Sequence, residues 1–354
     1  MPMKLGICPY MLYFKEPAGT SRGVLFEKPT YLLKVWDERQ PEVFGLGEAA
    51  VFPGLSPEAD QRYEYKLIEL LANIAIGRPT DLSRHSSIQY GLEQALRDFA
   101  SGGQRLYFDS PFTSGEMAIT INGLIWMGSF EEMHRRLEEK MKLGFKCLKF
   151  KIGSIDWDKE LALIKSVRDK YSPEQLTIRV DANGAFSMEN VFFRLKQLAD
   201  LGVHSIEQPI PARFPDLMRF VCEMSPLPIA LDEELIGVYG MENKRKLLDY
   251  IKPRYIILKP ALCGGFSGAE EWMKAASDFG IGYWITSALE SNVGLNALAQ
   301  FTGTLHPEIP QGLGTGALYT NNFTLPLELN GDKLRFDPNA GIDLAQFEKL
   351  DWKV

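Results

Sequence analysis

The sequence predicts an α/β protein: a modified (β/α)₈, or TIM, barrel with an N-terminal α+β capping domain that the C-terminal segment completes. The first observation is a set of five short apolar runs, each ending at or beside one of the charged residues Lys151, Asp181, Glu207, Asp232 and Lys259. These residues are 30, 26, 25 and 27 positions apart, about one strand–helix unit of a barrel of about 250 residues. The second observation is that residues 1–110 lack this period and place strand patterns before helical ones.

Domain boundaries are predicted where the period starts and stops. Residues 1–110 form the capping domain, in which apolar residues recur at helical spacing over 58–77 and 87–99. Residues 111–322 form the barrel. Residues 323–354 lose the period, so we expect them to return to the first domain.

The barrel elements follow in order. The first strand is predicted at Met117–Asn122, and the next helix begins after Ser129, a typical N-cap residue. Four strands with charged ends then alternate with helices. The seventh strand is predicted at 283–287 and the short eighth at 310–313, so that all eight strand C-termini surround one mouth, where barrel active sites lie.

Composition narrows the class of protein. The chain has 354 residues, 45% of them apolar, with a formal net charge of −7. The negative charge argues against a nucleic-acid partner, and no apolar run is long enough to span a bilayer or form a signal peptide. The four cysteines show no CxxC pairing, which favours reduced, buried thiols. We expect a cytoplasmic enzyme that acts on a small molecule; its oligomeric state stays open.

Three carboxylates are predicted to meet at the barrel mouth. Asp181, Glu207 and Asp232 come from three successive strands. Converging carboxylates repel one another, and a divalent cation relieves that repulsion. Oxygen ligands favour a hard ion, so we expect Mg²⁺, with Mn²⁺ as a substitute. One such acid could simply cap the following helix, but three at this spacing favour a metal site.

Lysines are predicted on two opposite sides of the same mouth. Lys149 and Lys151 share one face of a strand because strand side chains alternate. We expect their mutual repulsion to lower a lysine pKa toward the range of a base. Lys259 ends a strand on the other side of the barrel. A cation and two opposed lysines suit removal of the proton α to a carboxylate.

Strands seven and eight offer further polar groups. Ser287 follows strand seven, and the glycines of 312–316, Gly314 among them, follow strand eight, where backbone N–H groups can hold a substrate anion. Ser291 is equally well explained as a helix N-cap. The four histidines lie away from the predicted strand C-termini, and no GxSxG motif is present, which disfavours a serine hydrolase.

Five motifs together resemble the muconate-lactonizing subgroup of the enolase superfamily, over essentially the whole chain. They are Lys149-Phe-Lys151, Val180-Asp181-Ala-Asn183-Gly, Ile206-Glu207-Gln208-Pro209, Leu231-Asp232-Glu233 and Leu258-Lys259-Pro260. Three other segments are most similar to the o-succinylbenzoate synthase family: Asn122–Trp126, Ser287–Gly294 and Gln311–Gly316. The segment Thr20-Ser-Arg22-Gly23 resembles that family's mobile substrate-closing loop, which makes Arg22 a candidate substrate-binding residue.

The resemblance implies a reaction and residue roles. The reaction is Mg²⁺-dependent dehydration of 2-succinyl-6-hydroxy-2,4-cyclohexadiene-1-carboxylate to 2-succinylbenzoate, a step in menaquinone biosynthesis. By resemblance, Lys151 removes the α-proton and then helps the hydroxyl leave as water. Lys259 stabilises the enediolate electrostatically from the opposite face. The three mouth carboxylates hold the metal, and Lys149 and Asn183 orient them.

Other readings of the same residues stay open. An N-acylamino acid racemase uses the same lysine pair to exchange the proton across the α-carbon, and both activities can occur together. A dipeptide epimerase is less favoured because 314–316 lacks the acidic Asp-x-Asp of that family; a muconate cycloisomerase is also less favoured. A barrel with a purely binding role is disfavoured by the intact set of three acids and three lysines.

Overall fold

The computed structural model describes residues 3–20 and 23–353. Its N-terminal part is an antiparallel sheet in the order β1 (Met3–Thr20), β2 (Gly23–Asp37) and β3 (Gln40–Ala49), followed by two helices, α1 (Tyr63–Ala75) and α2 (Ser86–Ala100). Alternation along β2 gives the sheet two apolar faces. Leu33 and Val35 pack against the two helices, whereas Leu32 packs toward the C-terminal segment. The two predicted helical stretches are confirmed.

The rest of the chain contains a barrel in which strands and helices alternate. In chain order, the elements after α2 are β4 (Ile119–Thr120), β5 (Gly123–Ile125), α3 (Phe130–Lys142), β6 (Cys147–Lys151), α4 (Trp157–Arg168), β7 (Thr177–Asp181), α5 (Val191–Asp200), β8 (Ser205–Glu207), α6 (Pro215–Met224), β9 (Ile229–Leu231), α7 (Met241–Ile251), β10 (Tyr255–Leu258), α8 (Pro260–Cys263), α9 (Gly265–Asp278), β11 (Gly282–Ile285), α10 (Asn292–Thr304), β12 (Leu327–Asn330), β13 (Lys333–Phe336) and α11 (Ala345–Glu348). The barrel comprises the elements from β5 to α10, and β4, β12 and β13 form a separate sheet.

Strands β5 to β11 form one parallel sheet in chain order, and a short eighth segment joins its two edges. Gln311 bridges Ile121 beside β5, and Gly312 bridges Thr286 beside β11, both in the parallel sense. A Cβ on Gly312 would lie 2.6 Å from Thr286 Oγ1, so only glycine permits this close approach. The eighth strand predicted at 310–313 is therefore confirmed as the segment that closes the barrel.

The prediction that the first barrel strand spans Met117–Asn122 is correct only at its end, where Ile121 bridges the segment that closes the barrel. The first parallel strand is Gly123–Ile125, and Ile119–Thr120 instead pairs antiparallel with β13 in a separate three-stranded sheet with β12. The alternating apolar pattern correctly indicated a strand, but the period of a single strand carries no information about its partner.

Through its strand β13, the C-terminal segment pairs with β4, and it also packs against the capping domain. Lys353 pairs with Ile7 of β1, and Phe347 of α11 packs against Leu32 and Phe44 of the capping sheet. The predicted fold class, with a capping domain that the C-terminal segment completes, is confirmed; the boundaries at 110/111 and 322/323 stay predictions. In the part of the chain that the structure describes, no helix has the length and apolar character needed to cross a membrane.

Candidate active site

The sheet register brings the predicted charged residues to one end of the barrel. Lys151 pairs with Asp181, and Asp181 pairs with Glu207, across three adjacent strands. Asp232 and Lys259 each follow the last residue of their strands, β9 and β10. Paired residues of a parallel sheet point to the same face, so all five side chains project into the C-terminal mouth.

Lys149 is the buried centre of the charge cluster. Its side chain is 6% exposed, and its Nζ lies 2.9 Å from Asp181 Oδ2 and 2.5 Å from Glu207 Oε2. The ammonium group therefore lies between two carboxylates that would otherwise repel each other. Two residues further along β6, Lys151 has its Nζ 3.0 Å from the same Asp181 oxygen.

Asn183, which follows β7, connects Lys151 of β6 to Glu233, which follows β9. Its Oδ1 accepts a hydrogen bond from Lys151 Nζ at 2.8 Å, and its Nδ2 donates to Glu233 Oε1 at 3.0 Å. Its own backbone N–H donates to Asp181 Oδ1 at 3.0 Å. This network orients the lysine toward the mouth. Glu233 was quoted in a sequence motif, but its contact with Asn183 could not be read from the sequence.

Lys259 stands across the barrel from Lys151. Strands β6 and β10 are four positions apart in the closed eight-membered ring, which places them on opposite sides. Lys259 Nζ lies 2.5 Å from Asp232 Oδ2 and 3.8 Å from Glu207 Oε1. Both lysines are partly exposed, at 14% and 12% of their side chains, and both line the same pocket.

Ionisation of the cluster follows from burial and close opposite charges. Burial alone would lower the pKa of Lys149, but Asp181 and Glu207 outweigh it and the pKa is raised. The prediction that repulsion lowers the pKa is therefore wrong for Lys149, because attraction to its two carboxylate neighbours outweighs the repulsion from Lys259. Burial also disfavours a charged Asp181, yet Lys149 and Lys151 lower its pKa. For Glu207, burial and the neighbouring Asp181 charge raise the pKa to about 8.

The three predicted metal ligands lie beneath the lysines. Asp181, Glu207 and Asp232 are at most 3% exposed. Within residues 3–20 and 23–353, no three acidic, histidine or cysteine groups converge closely enough to hold a metal ion, because Lys149 and Lys259 lie between the carboxylates. Glu207 Oε1 accepts no hydrogen bond from the described residues, although it is buried.

The pocket above these charges has an apolar wall drawn from both parts of the molecule. Phe52 and Leu55 come from the segment after β3, and Leu124, Trp126 and Leu262 come from the barrel. The capping domain thus completes the pocket. Phe52 and Leu55 were missed from the sequence because a loop after a strand has no period that would indicate what it covers.

The predicted substrate-binding residues have different surroundings. Ser287 and Gly314 both line the pocket, together with Thr315, which the sequence analysis did not single out. Ser291 is the N-cap of α10, as its alternative reading predicted. Arg22 lies outside the described residues, so its role stays a prediction.

Comparison with known proteins agrees with this architecture. Residues 132–342 match the family described as enolase C-terminal domain-like. An o-succinylbenzoate synthase of Desulfotalea psychrophila is 45% identical over 357 residues, covering 91% of this chain and 96% of the relative. An N-succinylamino acid racemase of Thermus thermophilus is 35% identical over 287 residues, covering 80% of this chain and 66% of the relative.

A solved structure agrees over the same length. The crystal structure of MenC from Desulfotalea psychrophila superposes with a TM-score of 0.83 at 41% identity, covering 95% of this chain and 100% of that one. Because both the barrel family and a full-length relative match, the chain is an enzyme of the enolase superfamily, a lyase that belongs to the o-succinylbenzoate synthase family.

Proposed function

We propose that the chain dehydrates 2-succinyl-6-hydroxy-2,4-cyclohexadiene-1-carboxylate to 2-succinylbenzoate, a step that leads to menaquinone. The observation that carries the proposal is the pair of opposed lysines, Lys151 and Lys259, in one pocket above three buried carboxylates. Family membership supports the choice of substrate. The apolar wall suits a six-membered carbon ring.

The chain's own residues supply the proton transfer. Lys151 takes the proton from the carbon α to the carboxylate, and the resulting ammonium returns it to the hydroxyl on the adjacent carbon. The C–O bond then breaks, a ring double bond forms, and one water leaves. Lys259 remains an ammonium, stabilised by Asp232, and offsets negative charge on the substrate carboxylate. Phe52 and Leu55 exclude bulk water from this exchange.

The acid cluster fits a divalent cation. It offers hard oxygen donors only, and Glu207 Oε1 is buried without a hydrogen-bond donor among the described residues. Asp181, Glu207 and Asp232 would hold the ion, taking it in place of the ammonium contacts that now separate them. When bound, the ion supplies Lewis-acid stabilisation of carboxylate charge. We propose Mg²⁺, with Mn²⁺ as a substitute.

The proposal extends to the setting of the reaction. The partner is a small carboxylate, not a nucleic acid or a membrane, which the net charge of −7 supports. We propose the cytoplasm as the compartment, because the four cysteines are free in the structure, as expected where thiols stay reduced.

The deciding experiment assays two substrates side by side. Purified enzyme with Mg²⁺ receives the hydroxy-cyclohexadiene acid and, separately, N-succinyl amino acids of both configurations. We expect aromatisation of the first, seen as the ultraviolet absorption of the product, and its loss after chelation with recovery on adding Mg²⁺. An enzyme that exchanges the α-proton of the second but never aromatises the first contradicts the proposal.

A racemase is the second candidate, and one observation favours it. Lys151 and Lys259 face the pocket from opposite sides, which is what exchange of a proton across an α-carbon requires, and a racemase is among the relatives above 30% identity. The same assay settles whether racemisation accompanies dehydration.

A further inference from the structure

Two hydroxyl groups in the pocket wall form a hydrogen-bond chain that leads away from the lysines. Ser287 Oγ and Thr315 Oγ1 lie 2.7 Å apart, and both residues line the pocket although they are only 6% and 5% exposed. On the other side, Ser287 Oγ lies 2.5 Å from Glu290 Oε2. Glu290 is fully buried.

Backbone amides fix the direction of this chain. The N–H of Ala288 donates to Glu290 Oε2 at 2.8 Å, and the N–H of Leu289 donates to Ser287 Oγ at 3.1 Å. An amide N–H can only donate, so Oε2 is an acceptor. Ser287 therefore gives its single proton to Glu290, and Thr315 gives its single proton to Ser287.

The chain keeps its direction whether or not Glu290 is ionised, although a buried lysine of the capping domain lies nearby. Lys28 of β2 is 2% exposed, and its Nζ has no hydrogen-bond partner among residues 3–20 and 23–353. Burial lowers the pKa of Lys28, and the nearby carboxylates of Glu48 and Glu290 oppose that shift. Burial raises the pKa of Glu290, and the hydrogen bonds from Ser287 and Ala288 oppose that shift. Because Oε2 already accepts the Ala288 N–H, a proton on this carboxyl group would lie on Oε1, which has no hydrogen-bond partner among the described residues, and Oε2 would still accept from Ser287.

Thr315 is left with lone pairs and no proton to offer the pocket. Its Oγ1 makes no other hydrogen bond within the described part of the chain. We propose that Thr315 determines specificity at this site by accepting a hydrogen bond from a donor on the substrate. Ser287 and Glu290 are positioning residues for it. The inference rests on the proposed function for its ligand class: a cyclic acid that bears a hydroxyl beside the carboxylate-bearing carbon.

A hydrogen bond to Thr315 would distinguish the substrate from the product. The ring hydroxyl of the dehydration substrate is a donor, and the aromatic product lacks it. A substituent that only accepts, such as fluorine, would meet the Thr315 lone pairs and bind less well. One neutral hydrogen bond corresponds to roughly 0.5–1.5 kcal/mol, so the expected preference for the donor is about fivefold.

A binding experiment tests the inference without relying on turnover. Titration calorimetry with Mg²⁺ present compares trans-2-hydroxycyclohexanecarboxylate with its 2-fluoro analogue, which has similar size but no donor. We expect the wild type to bind the hydroxy acid about fivefold more tightly. Thr315→Val, which keeps the shape, loses the preference, and Thr315→Ser restores it.

A second variant tests the positioning role of Ser287. Ser287→Ala removes the acceptor for the Thr315 proton, so that the hydroxyl can donate or accept, and the preference between the two ligands falls while Thr315 is intact. With the natural substrate, Thr315→Val raises KM more than it lowers kcat and leaves inhibition by 2-succinylbenzoate unchanged.

Two results overturn the inference: a wild type that binds both ligands equally, or a preference that survives in Thr315→Val. A wild type that prefers the hydroxy acid but never aromatises the cyclohexadiene acid sinks the proposed function and leaves the assignment of Thr315 standing. The two ideas therefore fail in different measurements.

Discussion

Lys151 Nζ donates a hydrogen bond to Asn183 Oδ1 at 2.8 Å, and this contact orients the proposed base. Asn183 holds a left-handed backbone conformation with φ of 43°, which non-glycine residues rarely adopt. The conformation lets its amide group reach Lys151 on one side and Glu233 on the other. Asn183 thus adopts an unfavourable backbone conformation at a position where its side chain connects two strand ends of the mouth.

Replacing Asn183 by glycine removes both side-chain contacts while suiting the backbone. We expect Asn183→Gly to lower kcat about 10- to 100-fold, the range found for groups that orient a metal or catalytic residue, with little loss of stability. The matched control is Lys252→Gly, which changes another left-handed residue, φ of 55°, at the end of α7 and away from the pocket. If both variants retain wild-type kcat, Asn183 does not orient the base.

The two proposed proton-transfer groups can be tested separately. Lys151→Ala and Lys259→Ala are each expected to reduce dehydration by at least about 10³-fold, because one removes the base and the other the cation that offsets carboxylate charge. Circular dichroism should show an intact fold, because both side chains reach the pocket surface. Near-normal turnover by either variant contradicts the assigned mechanism.

The sequence predicted the positions of the five charged residues because each lies at a strand end. The regular spacing of strand ends can be read from the sequence without knowing which strands pair. Contacts between distant segments carry no such signal. Lys28 and Glu290 are 262 positions apart in the chain, and nothing local to either indicates the other. The same limit explains why Ile119–Thr120 was assigned to the barrel: its alternation marks a strand, whereas its pairing with β13 depends on residues more than 200 positions away.

Packing between β3 and α2 allows no side chain at Gly47. A Cβ there would overlap the carbonyl oxygen of Gly91 in the helix, and neither backbone can retreat without disturbing the sheet. We expect Gly47→Ala to lower the free energy of unfolding by about 3 kcal/mol. Urea denaturation followed by fluorescence measures the change.

Gly341→Ala is the control for that variant, because nothing lies within 4 Å of the added Cβ. It should unfold at the wild-type urea concentration. Equal midpoints for Gly47→Ala and Gly341→Ala would mean that the sheet and helix can separate to admit a methyl group.

His204, at the opposite end of β8 from Glu207, makes stability depend on pH. Its ring stacks on Tyr255 with centroids 5.4 Å apart, and its Nδ1 lies 2.9 Å from Ser205 Oγ. Burial lowers the pKa of His204, and the Arg179 charge lowers it further. The unfolded chain, with an ordinary histidine pKa of about 6.5, therefore binds a proton at pH values where the native state does not.

The sign follows from that difference in proton binding. The contribution of a neutral His204 is fully present above the unfolded pKa and is lost as the pH falls below it toward the native pKa. We expect urea unfolding at about pH 7.5 and about pH 5.5 to show a smaller loss of stability on acidification in His204→Asn than in the wild type. His134→Asn, at an exposed position, controls for the loss of a histidine and should follow the wild type. An acid-induced loss in His204→Asn as large as that of the wild type would place the pH sensitivity at another residue.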